Sequence, residues 1–211
     1  MRKILLIIIL FSATLTRAQN TTPAYLDVHK YDSAEAALTV VYNQDQAYRG
    51  GIDSTQRKYG WRSPQMIKLL KVIHQNDSTN LLKVRHSLDT YGWLGIDEVG
   101  EKASMAQFLV IQHADSLTQV TYLPVMQEAV KKGKAAPDQL ALLEDRVLCT
   151  QGKPQIYGSQ VRSNAKGKYE FYPIKDEAGV DQRRASVGLD PLENYARGFG
   201  IDYHLPKAPA H

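Results

Sequence analysis

The stretch MAQFLVIQHADSL, residues 105–117, has its apolar residues at the spacing of an α-helix. Because a helix turns by about 100° per residue, residues three, four and seven apart share one face. The apolar face of this helix is predicted to hold Val99, Ala106, Leu109, Val110 and Leu117. Since much of the chain repeats this spacing, we predict a mainly α fold with about six helices.

Helical spacing on either side of this stretch gives the other helices. Asp32 opens a helix that ends at Gly50-Gly51, and a loop containing Trp61 follows. Ser63-Pro64 begins the next helix, because proline is favoured in the first helical turn. The polar NDSTN, residues 76–80, predicts a break or a cap within that region. Pro137 begins another helix, which ends at Gly152.

After Gly152 the pattern becomes one of strands. QIYGSQVR (155–162) and KYEFYPI (168–174) are rich in aromatic and β-branched residues, and SNAKG between them supplies a turn. Strand alternation would put Gln155, Tyr157 and Ser159 on one face. Two short helices, over 177–186 and 191–199, then close the chain. We therefore predict a single domain of helices with one β-hairpin packed on them.

The N-terminus has the pattern of a secretory signal peptide. MRK is positively charged, ILLIIILF is apolar, and small or polar residues then lead to Ala18. The apolar run is too short for a membrane span, which needs roughly 20 residues. We expect residues 1–18 to be removed, 19–30 to be a flexible lead-in, 31–204 to form the domain and 205–211 to be a loose tail. The protein is expected to be periplasmic or secreted, with no membrane span after cleavage.

Charge and cysteine content exclude several classes of protein. The chain carries a formal net charge of +4, and three of its cations (Arg2, Lys3 and Arg17) lie in the signal peptide, which leaves +1. No basic surface for nucleic acid is predicted from so small a charge. Cys149 is the only cysteine, so an internal disulfide is impossible, and we expect an inert thiol. Protein partners stay unknown at this level.

His113 and Asp115 look like a catalytic or metal-binding pair, but helical spacing argues against it. In a regular helix the two side chains point about 200° apart, whereas Gln112 and Asp115, three residues apart, are neighbours. His113 falls on the apolar face. It is either a hydrogen-bonded core histidine or a half-buried base at the floor of a cleft.

Other acids could serve His113. Asp45 lies in the apolar seam with Leu38, Val41 and Tyr48, and Arg49 four residues later could pair with it. That pair is either a structural ion pair or one edge of a pocket. Asp145 and Arg146 point about 100° apart on their helix, so we expect them to serve different partners.

Polar residues near the C-terminus complete the candidates. Gln155, Tyr157 and Gln160 either bind a polar ligand or tie the hairpin to the helices, and Arg183 and Arg184 offer an anion clamp or ordinary salt bridges. The sequence contains no GxSxG, HExxH, phosphate-binding loop, dinucleotide fingerprint or cysteine metal cage. We therefore predict no metal and no cofactor.

An ordered set of short motifs resembles a known family. NQDQAYR, YGW, VG, QHAD, EDRV, GKPQIYGSQ, PI-D and RRASVGLDPL resemble, in that order, the bacterial domain-of-unknown-function family 6624, over about residues 35–195. The family's usual YGTQ is YGSQ here, which keeps the hydroxyl. The resemblance implies no activity. It implies that the matching polar positions meet in space; these are Gln112, His113, Asp115, Asp145, Arg146, Gln155, Tyr157, Gly158 and Gln160.

Two functions follow from these residues. In the first, one pocket between the helices, closed by the hairpin, binds a small polar or peptide-like ligand and acts as a metal-independent hydrolase or lyase. His113 would be the base, with an Asp orienting it and an Arg holding an anion. The predicted pocket is lined by Asp45, Arg49, Gln112, His113, Asp145, Arg146, Gln155 and Tyr157. In the second, a non-enzymatic domain of the cell envelope uses the same residues as a buried structural network.

Overall fold

A helical bundle carries a short hairpin and two small helices at its C-terminal end. The computed structural model describes residues 29–164 and 167–206. Its helices are α1 (Asp32–Arg49), α2 (Ile52–Tyr59), α3 (Pro64–Tyr91), α4 (Ile96–His113), α5 (Ser116–Lys131), α6 (Pro137–Thr150), α7 (Val180–Ser186) and α8 (Leu192–Arg197). A 3-10 helix covers Glu177–Gly179. The prediction of a mainly α fold with one hairpin is confirmed, with eight α-helices in the described residues instead of about six.

Two of the predicted segments lie almost wholly outside the described residues. The predicted signal peptide, 1–18, and most of the lead-in, 19–30, fall there, as do residues 207–211 of the predicted tail. The described chain from Tyr31 onward belongs to one compact unit. None of its helices is long and apolar enough to cross a membrane.

The core forms where α4 packs along α1, with α3 against both. Helices α5 and α6 pack on each other and contact α4. Each helix contributes residues at three- and four-residue spacing, as the sequence pattern requires. Fully or almost fully buried members are Leu38 and Val41 of α1, Val84 of α3, Val99, Ala103, Ala106 and Ile111 of α4, Met126 of α5 and Leu143 of α6. Burial of these side chains is the main stabilisation of the bundle.

The predicted break at residues 76–80 is wrong, because α3 runs without interruption from Pro64 to Tyr91. Ile73, Asn80, Val84 and Ser87 all lie on its buried side. Asn80 is completely buried although it belongs to the polar stretch. Packing of this face against the bundle outweighs the weak helix propensity of Asn, Asp, Ser and Thr.

Two predictions on either side of Gly50 are also wrong. The segment after it is not only a loop, since α2 occupies Ile52–Tyr59. No residue of α2 is buried, so apolar periodicity could not reveal it. Tyr48, placed in the seam with Asp45 by spacing, is 44% exposed. The seam of α1 therefore ends at Asp45.

Helix α4 is bent near its start and stops where the polar motif begins. Gly100 has φ +73°, a left-handed conformation that glycine adopts without steric cost, and it kinks the helix. The helix ends at His113, and Asp115 caps α5 by accepting a hydrogen bond from the amide of Thr118 at 2.9 Å. Leu117 thus belongs to α5 and not to the apolar face of α4, and it is 75% exposed.

The hairpin is shorter than predicted. Strands β1 (Val161–Ser163) and β2 (Tyr169–Phe171) pair antiparallel, with Val161 opposite Phe171. Residues 156–160 are not part of a strand, so the predicted strand alternation of Gln155, Tyr157 and Ser159 is wrong. The hairpin packs on a helix, as predicted. Phe171 stacks with Tyr195 of α8 at 6.4 Å between ring centroids.

Candidate functional site

His113, the last residue of α4, meets the carboxylate of Asp45 on α1. Its Nδ1 lies 2.9 Å from Asp45 Oδ1. The Asp45 side chain is 1% exposed and the His113 side chain 24%. The contact joins residues 68 positions apart and exists because α4 packs along α1. Asp45 is therefore the acid that pairs with His113. Asp115 lies at the start of α5 and caps that helix instead.

The surroundings of Asp45 decide whether Asp45 or His113 carries the proton between them. Burial alone would raise the pKa of Asp45, but hydrogen bonds and charges from His113 and Arg49 hold that pKa below its usual value. Asp45 is therefore an ionised carboxylate, which only accepts hydrogen bonds. It follows that Nδ1 of His113 carries the proton toward Asp45. In the neutral ring Nε2 is then left with its lone pair, and no partner for it is found among the described residues.

Arg49 is held by two carboxylates. It donates from Nη2 to Asp45 Oδ1 at 3.2 Å and from Nε to Asp45 Oδ2 at 3.3 Å. The same Nη2 donates to Asp77 Oδ1 of α3. Gln46 adds a further bond to Asp45 Oδ2 at 2.7 Å. These bonds fix the position of Asp45. They also compensate the charge of Arg49 with carboxylates of the protein itself.

A cavity of about 530 Å³ opens beside this pair. It is lined by residues of α1, α2, α3, the α4–α5 junction and α6; they are Arg49, Ile52, Leu70, Ile73, His74, Asp77, Ser78, Leu81, His113, Ala114, Asp115 and Arg146. Its volume lies within the usual range for small-molecule sites. A larger cavity, about 690 Å³, lies at the opposite end of α4 against the Glu98–Lys134 ion pair. None of the predicted site residues lines that one.

Arg146 reaches the cavity from α6 without a partner. Its Nε is buried and makes no hydrogen bond, and the described part of the chain offers its guanidinium no ion pair. Burial lowers the pKa of Arg146, because the guanidinium loses hydration there. An arginine in this state is a strong hydrogen-bond donor that lacks an acceptor.

Asp145, next to Arg146 in sequence, points elsewhere and is completely buried. Its Oδ1 accepts from the amides of Ile156 at 2.6 Å and Tyr157 at 3.0 Å, and its Oδ2 accepts from the amide of Ser159 at 2.9 Å. One carboxylate thereby satisfies three main-chain donors of a loop. Asp145 and Arg146 point to different places, as the helical angle predicts: Asp145 binds the loop, whereas Arg146 lines the cavity.

Gln155 closes the same loop from its other end and is completely buried. Its Nε2 donates to the carbonyls of Gln160 at 3.0 Å and Tyr172 at 2.9 Å. Its Oε1 accepts from the amide of Gln160 at 2.8 Å. Every polar atom of the Gln155 side chain therefore has a main-chain partner within the protein.

The two candidate arginines of α7 also bind main chain. Arg183 donates from Nε to the carbonyl of Ile156 at 2.9 Å, and Arg184 donates from Nη1 to the carbonyl of Tyr157 at 2.7 Å. Arg184 is almost completely buried and lies over the ring of Tyr195, with its guanidinium carbon 5.0 Å from the ring centroid. Both are engaged with the same loop and not with the cavity.

The structure thus divides the predicted pocket into two groups. Asp45, Arg49, His113 and Arg146 gather at the cavity, and Asp115 lines its edge while capping α5. Asp145, Gln155, Tyr157, Gln160, Arg183 and Arg184 form the network around the 156–160 loop instead. Gln112 belongs to neither group; it is buried, and its Nε2 faces the carbonyl of Leu142 at 3.5 Å. The described residues of the hairpin do not line the walls, so nothing supports closure of the cavity by the hairpin.

Sequence reasoning missed the wall that α3 supplies. His74, Asp77 and Ser78 lie three and four residues apart, so they share one face of a continuous helix. A break at 76–80 would have separated them. Treating residues 64–91 as one helix places these three polar residues on one face, and that pattern would have indicated a site there.

Metal ligation and known relatives add two observations. In the described ranges, no three His, Cys, Asp or Glu side chains are grouped so that they could hold a metal ion. No curated protein and no solved structure matches the chain. One family model does match, over residues 33–207, and its description is a family of unknown function. This match spans most of the sequence and both groups of polar residues, and the chain therefore belongs to the family of unknown function DUF6624.

Proposed function

We propose that the cavity at the end of α4 binds a small polar ligand and that His113 acts there as a general base, in a metal-independent hydrolase or lyase. The observation that carries the proposal is the 2.9 Å contact between His113 Nδ1 and the buried carboxylate of Asp45. A carboxylate on Nδ1 fixes the tautomer and the ring orientation, and it stabilises the imidazolium that forms when Nε2 takes a proton.

The chemistry available at the cavity limits the reaction. Nε2 of His113 is directed away from Asp45 by the ring geometry, so it can accept a proton from water or from a ligand. Among the described residues, Ser78 alone places a hydroxyl side chain at the cavity wall. It donates to the carbonyl of His74 at 2.9 Å and is not bonded to His113. We therefore favour attack by a water, or removal of a ligand proton, over a serine nucleophile.

Conversion of small molecules from a cell extract tests this proposal. The full chain, His113→Gln, Asp45→Asn and a control, His86→Gln, are each incubated with the extract, and consumed compounds are found by mass spectrometry. His86 is exposed on α3 and does not line the cavity. We expect at least one compound to be consumed by the wild type and His86→Gln and left by the other two. Equal conversion by all four proteins, or by none, contradicts the proposal.

The alternative is a non-enzymatic domain of the cell envelope, and the closed network around Asp145 and Gln155 favours it for those residues. Melting temperatures of His113→Ala and Gln155→Ala separate the two functions. Gln155→Ala leaves buried main-chain groups without partners and is expected to be strongly destabilising. If His113→Ala is equally destabilising, His113 belongs to the structural framework and the proposed base is excluded.

Export is part of the proposal and rests on the N-terminal pattern alone. The pattern of MRK, the apolar run and Ala18 predicts removal of residues 1–18 in the producing cell. N-terminal sequencing of the protein from periplasm and medium tests it. We expect a mature chain that begins at Gln19; an intact Met1 in the cytoplasm would contradict export.

A further inference from the structure

We infer that the ligand of this cavity carries a carboxylate and that Arg146 binds it. The inference rests on the proposed function, because it assigns a ligand class to the same cavity. It concerns binding and not the proton transfer at His113. The two can therefore fail separately.

Arg146 has no hydrogen-bond acceptor in the described chain, whereas Arg49, Arg183 and Arg184 each have one. Arg49 is bound by Asp45 and Asp77, and Arg183 and Arg184 are bound by main-chain carbonyls. Arg146 is also partly buried, yet its Nε has no acceptor in the described chain. A guanidinium stays charged even when burial lowers its pKa, so the lost hydration is an uncompensated cost in the ligand-free protein.

The aromatic neighbours of Arg146 do not remove this cost. The largest charge interaction of Arg146 is with the phenol of Tyr195, but burial raises the pKa of Tyr195, so the phenol is neutral at ordinary pH. Its hydroxyl is also used, since it donates to the carbonyl of Ser159 at 2.9 Å. The described chain therefore supplies no acceptor for Arg146, and a ligand can supply one to the part of the side chain that lines the cavity.

The geometry of the cavity selects the kind of anion. A guanidinium presents a planar fork of donors that matches the two oxygens of a carboxylate. Asp77 and Asp115 line the same cavity and would repel further negative charge. A singly charged carboxylate is tolerated better beside them than a doubly charged phosphate. We therefore assign the Arg146 position to a carboxylate of a small organic acid.

The test uses Arg146→Met, which keeps the volume and removes the charge. Arg85→Met is the matched control, because Arg85 is exposed on α3 and does not line the cavity. Melting temperature is measured while sodium propionate, sodium phosphate or sodium chloride is added at equal ionic strength. We expect propionate, a singly charged carboxylate, to raise the melting temperature of the wild type and Arg85→Met saturably, by about 3 °C, and to leave Arg146→Met unchanged beyond the chloride effect. Phosphate should give no saturable rise.

The ligand-free melting temperatures separate a binding role from a structural one. Without ligand, Arg146→Met should melt at or above the wild-type temperature, because it removes an unpaired buried cation. A drop of several degrees in Arg146→Met would assign Arg146 to the framework and overturn the inference. So would a propionate response that persists in Arg146→Met, an absent propionate response in the wild type, or a stronger response to phosphate.

The same titration on His113→Gln distinguishes this inference from the proposed function. We expect His113→Gln to keep the propionate response, since Arg146 is intact. If Arg146→Met loses the response while His113→Gln still converts every compound in the extract, the carboxylate site stands and the general base fails. The opposite pattern overturns the carboxylate site and leaves the general base in place.

Discussion

Replacing Asp145 by alanine should be among the most destabilising single changes in this protein. The substitution removes the acceptor of three amides, those of Ile156, Tyr157 and Ser159. Each buried donor left without a partner costs about 1–3 kcal/mol, so the upper bound for three is roughly 9 kcal/mol. Ile156 and Tyr157 are only partly buried and water can reach them after relaxation. We therefore expect a loss of about 4 kcal/mol in the free energy of unfolding.

Urea denaturation followed by circular dichroism measures this loss. Asp145→Asn keeps one acceptor oxygen and should be destabilised less than Asp145→Ala. Asp89→Asn, at an exposed position of α3, is the control and should differ from the wild type by less than about 0.5 kcal/mol. A loss below about 1 kcal/mol for Asp145→Ala would show that the loop holds its shape without the carboxylate, and the reasoning would be wrong.

Three further predictions concern other parts of the structure. Gly158→Ala should cost about 3 kcal/mol, because φ is +70° and the new Cβ would lie 2.9 Å from Leu192 Cδ1; Gly152→Ala, at the same φ in open space, should cost less in the same urea assay. Because the folded-state pKa of Asp45 is lowered, its stabilising contribution is complete above the ordinary pKa of 3.8 and is lost as the pH falls through the folded value. Asp45→Asn should therefore lose stability less steeply than the wild type as the pH falls below 3.8, and equal slopes there would be contrary to this expectation. Burial raises the pKa of Cys149 to about 11, so a thiol reagent at pH 7.5 should label it slowly in the native protein and rapidly in urea; fast native labelling would contradict the assignment.

The parts of the fold that sequence predicts are those that depend on neighbours along the chain. Apolar spacing located the core face of α4, and the four-residue separation of Asp45 and Arg49 predicted their ion pair. Spacing also argues against a His113–Asp115 pair, but its premise of one regular helix is wrong, because α4 ends at His113 and Asp115 caps α5. The first two results follow from the geometry of one helix.

The parts that sequence does not predict depend on packing between elements. Asp45 and Asp145 were equal candidates for the acid that serves His113, and only the packing of α4 along α1 decides for Asp45. The continuity of α3 likewise depends on burial of Asn80, which local propensity opposes. Nothing in the residues of the 156–160 loop indicates that its amides turn toward a carboxylate on α6.

That loop also sets where variation is tolerated. Asp145 holds residues 156, 157 and 159 through amide N–H groups, which every amino acid except proline possesses. The side chains at positions 156 and 157 are therefore open to exchange as far as these bonds are concerned, while the path of the backbone is not. A library of substitutions across the loop should yield folded proteins at most positions and fail wherever proline replaces one of the three donors. The conformation of this segment is therefore fixed by a carboxylate on a helix, eleven residues earlier in the chain.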